Sequence, residues 1–330
     1  MEMISVILCH HTGNFVDKAV SSIRNSVEVK FEIIVVTSVP SKTFNHAITI
    51  YAEGGPSVKR NVGASIAKGE YLAFFDDDVE IEPTCLKEMV KTIRKPDVGM
   101  IYGKTYNMER RNMLDNAGSF MTGTGFLWAR ERHGIPDTGQ FDFEEDILAG
   151  KGASMMLRRS TFDKVEGFDE IYEILAEETD ISWKVWFIGE RVVFCYKGVL
   201  YHAFNTRFKP WNYYYTPKRV YYNGCRNYII MLIKFLEVRN LIRILPIHVT
   251  TWFLSGLGMF LVGKWKAGWN IWKGLAYHPF HLKDTLERRR KVQLLRTKSD
   301  KELFKFIMRR PSILYYLDHF FHYIWTGKHG

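Results

Sequence analysis

The chain has 330 residues, 46% hydrophobic and 25% charged, which excludes a wholly disordered or fibrous protein and suggests about two domains of ~150 residues each. Its four cysteines, at 9, 85, 195 and 225, show no CxxC pair or metal-ligand spacing, so a disulfide framework and a structural zinc site are not expected and a reducing compartment is. The net charge of +10 is unevenly divided: residues 1–200 hold 23 Lys+Arg against 30 Asp+Glu (net −7), and residues 201–330 hold 23 against 6 (net +17).

The opening MEMISVILCHH has no basic stretch before an apolar one and does not read as a secretory signal. ISVILC (4–9) and EIIVVT (32–37) are β-branched runs of the kind buried in parallel sheets, and FVDKAVSSIRNS (15–26) between them has helical spacing. A second helix over 57–68 leads into the strand YLAFFD (71–76), and Pro83 is expected to open a helix reaching about Arg94. VGMIYGKTY (98–106) and GASMMLR (152–158) read as strands, and TDISWKVWFIG (179–189) as a helix stopped by Gly189. The Gly-, Arg- and acid-rich stretch 107–150 reads as a long functional loop.

The last 130 residues differ in character. They carry six of nine Trp and eleven of seventeen Tyr, interleaved with Lys and Arg beside apolar runs, the composition of a membrane interface rather than a nucleic-acid surface. The twenty residues 244–263 contain no Asp, Glu, Lys or Arg and at ~1.5 Å per residue would match a hydrocarbon core, with Arg239, Arg243, Lys264 and Lys266 as flanks. A buried helix of a soluble domain satisfies the same pattern. Segments 225–240 and 265–278 read as interfacial helices or as short spans packed on the first, 311–325 is a further interfacial candidate in which Asp318 would be costly in lipid, and ERRRK (287–291) would suit anionic headgroups on the cytosolic side.

Three aspartates, Asp76, Asp77 and Asp78, follow the apolar strand YLAFF. Carboxylates this close repel unless a cation sits among them, and strand C-termini in open α/β sheets are where ligands bind. Asp76 and Asp78, being alternate, can face one side and hold Mg²⁺ or Mn²⁺; a solvated acidic turn before a helix is the alternative. Glu177, Glu178 and Asp180 form a second acidic group at a helix start, either as a proton acceptor or as a charged cap.

Taken together, GGPSVKRNVGASIAKGEYLAFFDDDVEIEP (54–83), GKGASMMLRRSTFDKVEGFDE (150–170) and EETDISWKVWFIGERV (177–192) resemble the ordered motifs of glycosyltransferase family 2 over about the first 200 residues. The resemblance implies an α/β class, a Rossmann-like GT-A domain with a mostly parallel sheet over 1–205, followed by a helical membrane-interacting region over 206–330. It implies a donor-binding set of Arg60, Asn61, Asp76 and Asp77, metal ligation by Asp76 and Asp78, and His202 as a further ligand unless it is merely packed among aromatics. Aligned without a gap, Glu178 takes the position of the catalytic base and Asp180 the second acidic position. One departure is that EIIVV ends in Thr37-Ser38 where the family carries a base-reading carboxylate, which shifts that role to HHTGN (10–14), with His11 and Thr12 as candidates.

The expected activity is inverting, metal-dependent hexosyl transfer, with mannose from GDP-mannose as the first candidate donor and a UDP-sugar as the second. The expected acceptor is a polyprenol- or dolichol-phosphate-linked species in glycan biosynthesis such as N-glycosylation, on a membrane with the catalytic domain facing the cytoplasm and no nucleic-acid partner. The arrangement resembles cellulose-synthase-like and polyprenol-phosphate-dependent transferases. The Gln-x-x-Arg-Trp motif of the processive enzymes is missing, although Lys218, Arg219 and Arg226 lie in that region. A surface-polysaccharide transferase such as a rhamnosyltransferase using a UDP- or dTDP-sugar, and a non-catalytic scaffold of the same fold, are the rival readings.

Overall fold

The β-branched runs of the first half form strands because residues on both faces can be buried by flanking helices. In chain order the elements are β1 (Met3–His10), α1 (Val16–Arg24), β2 (Lys30–Thr37), β3 (Ile48–Tyr51), α2 (Pro56–Ile66), β4 (Tyr71–Asp76), β5 (Val79–Ile81), α3 (Cys85–Ile93) and β6 (Val98–Asn107). The short strands β7 (Leu114–Asn116), β8 (Ser119–Met121), β9 (Leu127–Ala129) and β10 (Glu145–Asp146) follow, then β11 (Met155–Arg158), α4 (Arg159–Lys164), α5 (Glu177–Phe187) and β12 (Arg191–His202). This computed structural model describes residues 2–11, 13, 15–131, 134–203, 218–312 and 314–317. The chain divides into two units, one of Met1–Ser119, Ala129–Glu173 and Glu177–Arg207, the other of Phe120–Trp128, Ile174–Ala176 and Phe208–Gly330.

Among the described residues, ten strands of the first unit make one sheet of order β10-β12-β6-β11-β4-β1-β2-β3, with β5 on β12 and β7 on β6. β1 runs parallel to β2 and β4, and β12 parallel to β6, while β11 lies antiparallel between β4 and β6. Ile4, Val6 and Leu8 of β1 join Val16, Ala19 and Ile23 of α1 and Leu86 and Met89 of α3 in a fully buried core. On α2, a Cβ at Gly63 would lie 2.5 Å from Ile7 Cγ2, so only glycine lets this helix approach the sheet so closely.

The stretch expected as one long loop instead contains β7 to β10, two of which extend the main sheet. Three-residue and two-residue strands lack the periodic run that reveals a strand in sequence. The helix expected at Pro83 starts at Cys85, whose N–H donates to the Glu82 carbonyl in a preceding turn. The strand expected from Gly152 begins at Met155, after a single 3₁₀ turn over Gly152–Ser154.

In the second unit, a π-helical turn (Lys218–Tyr222) leads into α6 (Asn223–Phe235), α7 (Val238–Leu261), α8 (Trp265–Gln293) and α9 (Asp300–Ile307). The segment 225–240 was expected to be an interfacial helix or a short span packed on 244–263. It is instead α6, buried along nearly its whole length, followed by the first turn of α7. Cys225, Ile229 and Ile233 of α6 form this unit's core with Trp252, Met259 and Ile271, and Gly274 of α8 packs against Cys225. The buried C-terminal carbonyls of α6 are satisfied by α8: Arg289 donates to Leu236 O at 2.7 Å and Gln293 to Lys234 O at 2.8 Å. One arginine of the ERRRK run therefore faces the protein rather than headgroups. The candidate 265–278 is the first half of α8, which continues through Pro279 and kinks at His281 (φ −119°, ψ 17°). The candidate 311–325 lies largely outside the described residues.

Candidate active site

β4 ends at Asp76, and a tight turn at Asp77–Asp78 redirects the chain into β5. Because β5 pairs with the end of β12, Val79 stands opposite His202, and the Ala203 N–H donates to the Asp78 carbonyl at 3.1 Å. This pairing brings together residues remote in sequence. His202 Nε2 is 3.2 Å from Asp78 Oδ1 and 3.8 Å from Asp76 Oδ2, and one ligand atom from each of the three lies within 4.8 Å of the others. Burial by itself would lower the His202 pKa. Asp78 and Asp115 overcome it and hold the imidazole well above its usual value in the absence of a cation.

Two carboxylates and an imidazole are a donor set for a divalent ion, with the oxygen character that Mn²⁺ and Mg²⁺ prefer. Cys9, opposite Asp76 in the sheet, is not among the residues whose ligand atoms converge there, and burial pushes its thiol up to about 12. Asp77 is placed differently from its neighbours. The His11 backbone N–H donates to its carboxylate, while burial, Asp78 and Asp76 raise its pKa to about 8. His11 is thus beside the aspartate turn, and Thr12 lies outside the described residues.

Arg60 and Asn61 were both expected at the donor, and the structure shows how α2 uses them. Arg60 is 1% exposed; it donates to Glu177 at 3.0 Å, Asp76 at 3.3 Å and the Gly152 carbonyl at 3.3 Å. Its charge ties one metal-site carboxylate to the start of α5. A Cβ at Gly152 would stand 2.6 Å from the guanidinium, which explains the glycine before β11. Asn61 spends both ends of its amide on the 168–170 turn, accepting from Phe168 N at 2.9 Å and donating to Phe168 O and Glu170.

The acidic run at α5 separates into three environments. Glu177 is buried against Arg60. Glu178 is half-buried; burial and the adjacent Glu177 raise its carboxyl well above the usual range. Asp180 is fully buried, 3.6 Å from Lys184, which in turn donates to the Gly167 carbonyl at 2.9 Å. Asp180 therefore supports the turn before α5 from the inside.

At the end of β2, where a carboxylate was expected and missing, Thr37 Oγ1 lies 2.8 Å from Nδ1 of His10, whose ring meets Phe44 edge-on at 5.0 Å. Two residues in the site were not singled out in the sequence, although Lys151 falls within the 150–170 motif. Asp115, on β7, lies 3.0 Å from His202 Nδ1, and Lys151 donates to its other oxygen at 2.6 Å. Burial would raise the Asp115 carboxyl, but Lys151 and His202 hold it far below its ordinary value.

Residues 5–165 match the profile described as Glycosyl transferase family 2. These residues form a family 2 glycosyltransferase domain. The curated O-antigen biosynthesis protein RfbC of Myxococcus xanthus is 29% identical over 139 residues, 40% of this chain and 11% of the relative, so the chain spans about a tenth of that protein's length. Among solved structures, GalNAc-T7 with UDP, GalNAc and Mn²⁺ superimposes with a TM-score of 0.57 at 14% identity, over 78% of this chain and 51% of the other. S. aureus TarS 1-349 superimposes with a TM-score of 0.52 at 15% identity, over 89% and 90%. The likeness establishes the expected GT-A fold. The aspartate turn lies within the matched residues, and His202, beyond them, meets it where β4 and β12 end.

Proposed function

We propose that this protein transfers a sugar from a nucleoside-diphosphate sugar to a hydroxyl group of a membrane-held acceptor, with inversion at the anomeric carbon. The observation that carries the reading is the Asp76–Asp78–His202 donor set at the carboxyl edge of a family 2 domain. A divalent cation held there would stabilise the negative charge that grows on the departing diphosphate. Arg60 keeps Asp76 in place, and its own charge is balanced by Glu177. The acceptor oxygen bonds to the anomeric carbon, its proton passes to the Glu178 carboxylate, and the bond to the diphosphate oxygen breaks with the electron pair leaving on the nucleoside diphosphate.

A carboxylate in the base role favours a hydroxyl acceptor, because a phosphate oxygen needs no deprotonation to attack. The acceptor we propose is accordingly a sugar already carried on a polyprenyl lipid rather than the bare lipid phosphate. GDP-mannose and UDP-sugars remain the two donor candidates. Thermal-shift titration of the full chain with GDP, UDP and dTDP, each with Mn²⁺, is expected to show stabilisation by one nucleotide that EDTA abolishes. No stabilisation by any nucleoside diphosphate would overturn the reading.

The second unit supplies the membrane part of this proposal. Along α7 the side chains of Ile244, His248, Trp252 and Met259 are buried, whereas Ile242, Ile247, Phe253, Leu254, Leu257 and Leu261 are exposed. This apolar face begins beside the exposed Arg239 and Arg243 and continues to Trp265, Trp269 and Lys266 at the start of α8. We read it as lying in the plane of the headgroups rather than crossing the bilayer. α8 packs back along α7, with Gly268 against the Gly256 carbonyl and Phe253 stacked on Trp272 at 5.6 Å. A crossing α7 would therefore carry Lys273 of α8 into hydrocarbon, a costly position. Leu254→Glu together with Leu257→Glu is expected to lower co-sedimentation with vesicles containing anionic lipid by at least ~10-fold, since each buried apolar side chain contributes about 1.5–3 kcal/mol. Nucleotide-induced stabilisation should persist. Unchanged vesicle binding would remove this face from the membrane contact.

A further inference from the structure

Asp115 sits in the middle of β7, a three-residue strand held by pairing of Leu114 and Asn116 with β6 and by the Leu114 N–H to Ile135 O bond at 2.9 Å. Its two carboxylate oxygens have different partners. Oδ1 accepts from Lys151 Nζ at 2.6 Å, and Oδ2 is 3.0 Å from Nδ1 of His202. Lys151 immediately precedes the 3₁₀ turn whose Gly152 carbonyl accepts from Arg60. The Asp115 side chain is 10% exposed and that of His202 5%. The ring is thus fixed between Asp115 on one nitrogen and Asp78 and Asp76 on the other.

An imidazole binds a cation through a nitrogen that carries no proton, and the partner of the other nitrogen decides which one that is. An ionised carboxylate that accepts from a lysine ammonium offers its second oxygen only as an acceptor, so in the singly protonated ring that a cation requires the proton belongs on Nδ1 and Nε2 presents its lone pair toward Asp78 and Asp76. We propose that Asp115, itself oriented by Lys151, is the positioning residue that fixes the Nδ1–H tautomer and ring plane of His202 so that Nε2 is presented to the divalent cation. The inference rests on reading Asp76, Asp78 and His202 as the cation site.

Asparagine is the discriminating substitution. Its single carbonyl oxygen can serve His202 only if its NH₂ is turned against the Lys151 ammonium. If the amide turns the other way, the NH₂ donates to Nδ1 and drives the ring proton to Nε2, where the cation must bind. Asp115→Asn is therefore expected to weaken Mn²⁺ affinity about 10- to 100-fold. Asp115→Glu, which keeps both acceptors, should restore part of that loss. Lys151→Met should cost less than Asp115→Asn, because it releases the carboxylate without reversing a hydrogen bond.

The experiment uses the purified full chain with UDP or GDP, whichever stabilises it. Free Mn²⁺ is measured by electron paramagnetic resonance, and the His202 ring nitrogens by ¹⁵N NMR of the metal-free protein at alkaline pH, where the imidazole carries a single proton. The expected result is a drop in affinity for Asp115→Asn together with a ¹⁵N signature shifted toward Nε2–H. Should Asp115→Asn not fold, Asp115→Ala, which removes the acceptor facing Nδ1, carries the same two measurements, with weaker Mn²⁺ binding and loss of the Nδ1–H preference expected. Wild-type affinity in Asp115→Asn while Asp78→Ala loses Mn²⁺ would overturn the positioning role and leave the cation site standing. Wild-type affinity in Asp78→Ala would overturn both. Weaker binding with the His202 tautomer unchanged would also sink the proposal, since Asp115 would then act only through general electrostatics.

Discussion

Asp78→Ala is expected to lower sugar transfer by at least ~10²-fold and to abolish the response of the residual rate to added Mn²⁺. The magnitude follows from losing stabilisation of the leaving group, for which a single removed contact typically costs 10²–10³ in turnover. Asp78 is the position where the effect should be largest because it makes the shortest approach to His202 Nε2, at 3.2 Å, and among the described residues carries no ion pair to arginine. Asp76 instead shares its carboxylate with Arg60, so replacing it disturbs the start of α5 as well and gives a less interpretable loss. The check is initial-rate kinetics with nucleoside-diphosphate release as readout, over a Mn²⁺ series with an EDTA control. Full activity of Asp78→Ala, or of the wild type in EDTA, would remove the cation from the mechanism.

Glu178→Gln is expected to lower turnover by ~10²-fold or more while nucleotide binding stays close to wild type. The wild-type pH profile gives the same assignment a signed test. A general base acts only when ionised, and burial, followed by the charge of Glu177, raises the Glu178 carboxyl well above its ordinary range. Turnover should therefore rise with pH through a limb lying above the usual carboxylate pKa of ~4.3 and then level off. Glu178→Gln should lack that limb. Glu177→Gln removes one of the causes of the raised pKa, so the limb should move to lower pH. Asp180→Asn should instead reduce stability, because Asp180 is buried and partnered with Lys184. If Asp180→Asn removes the limb and Glu178→Gln does not, the base lies two residues further on.

These two residues also show how much of the site could be read before folding. The aspartate run announced itself because three carboxylates directly after an apolar strand are electrostatically costly, and that cost is local. Glu178 was reachable only through a run of motifs, since nothing in the sequence distinguishes its environment from those of Glu177 and Asp180. Folding separates the three completely: Glu177 turns to Arg60, Asp180 to Lys184, and Glu178 is left half-buried beside them. Arg60 and Asn61 were expected at the donor, but their motif does not say that Arg60 is buried against Glu177 and Asp76 or that Asn61 holds the 168–170 turn. Asp115 left no trace, because a three-residue strand within a polar stretch has too few residues to show a period.

A similar division holds for the second unit. The concentration of Trp, Tyr, Lys and Arg and the uncharged run 244–263 are compositional facts, and they marked the region as one that meets an apolar phase. Composition could not say which apolar segments are satisfied within the protein. Segment 225–240 carries four charged residues and segment 244–263 none, yet it is α6 that is covered nearly all round and α7 on one side only.

The sequence by itself therefore determined the α/β character of the first half, the place of the acidic turn and the polarity of charge along the chain, all of which depend on neighbours within a few residues. Only the tertiary structure decided that β5 pairs with β12 and so carries His202 to Asp78, that Asp115 stands behind that histidine, and which face of α7 remains exposed. Those outcomes depend on strand pairing and helix packing between distant segments, whose energies are absent from any local window of sequence.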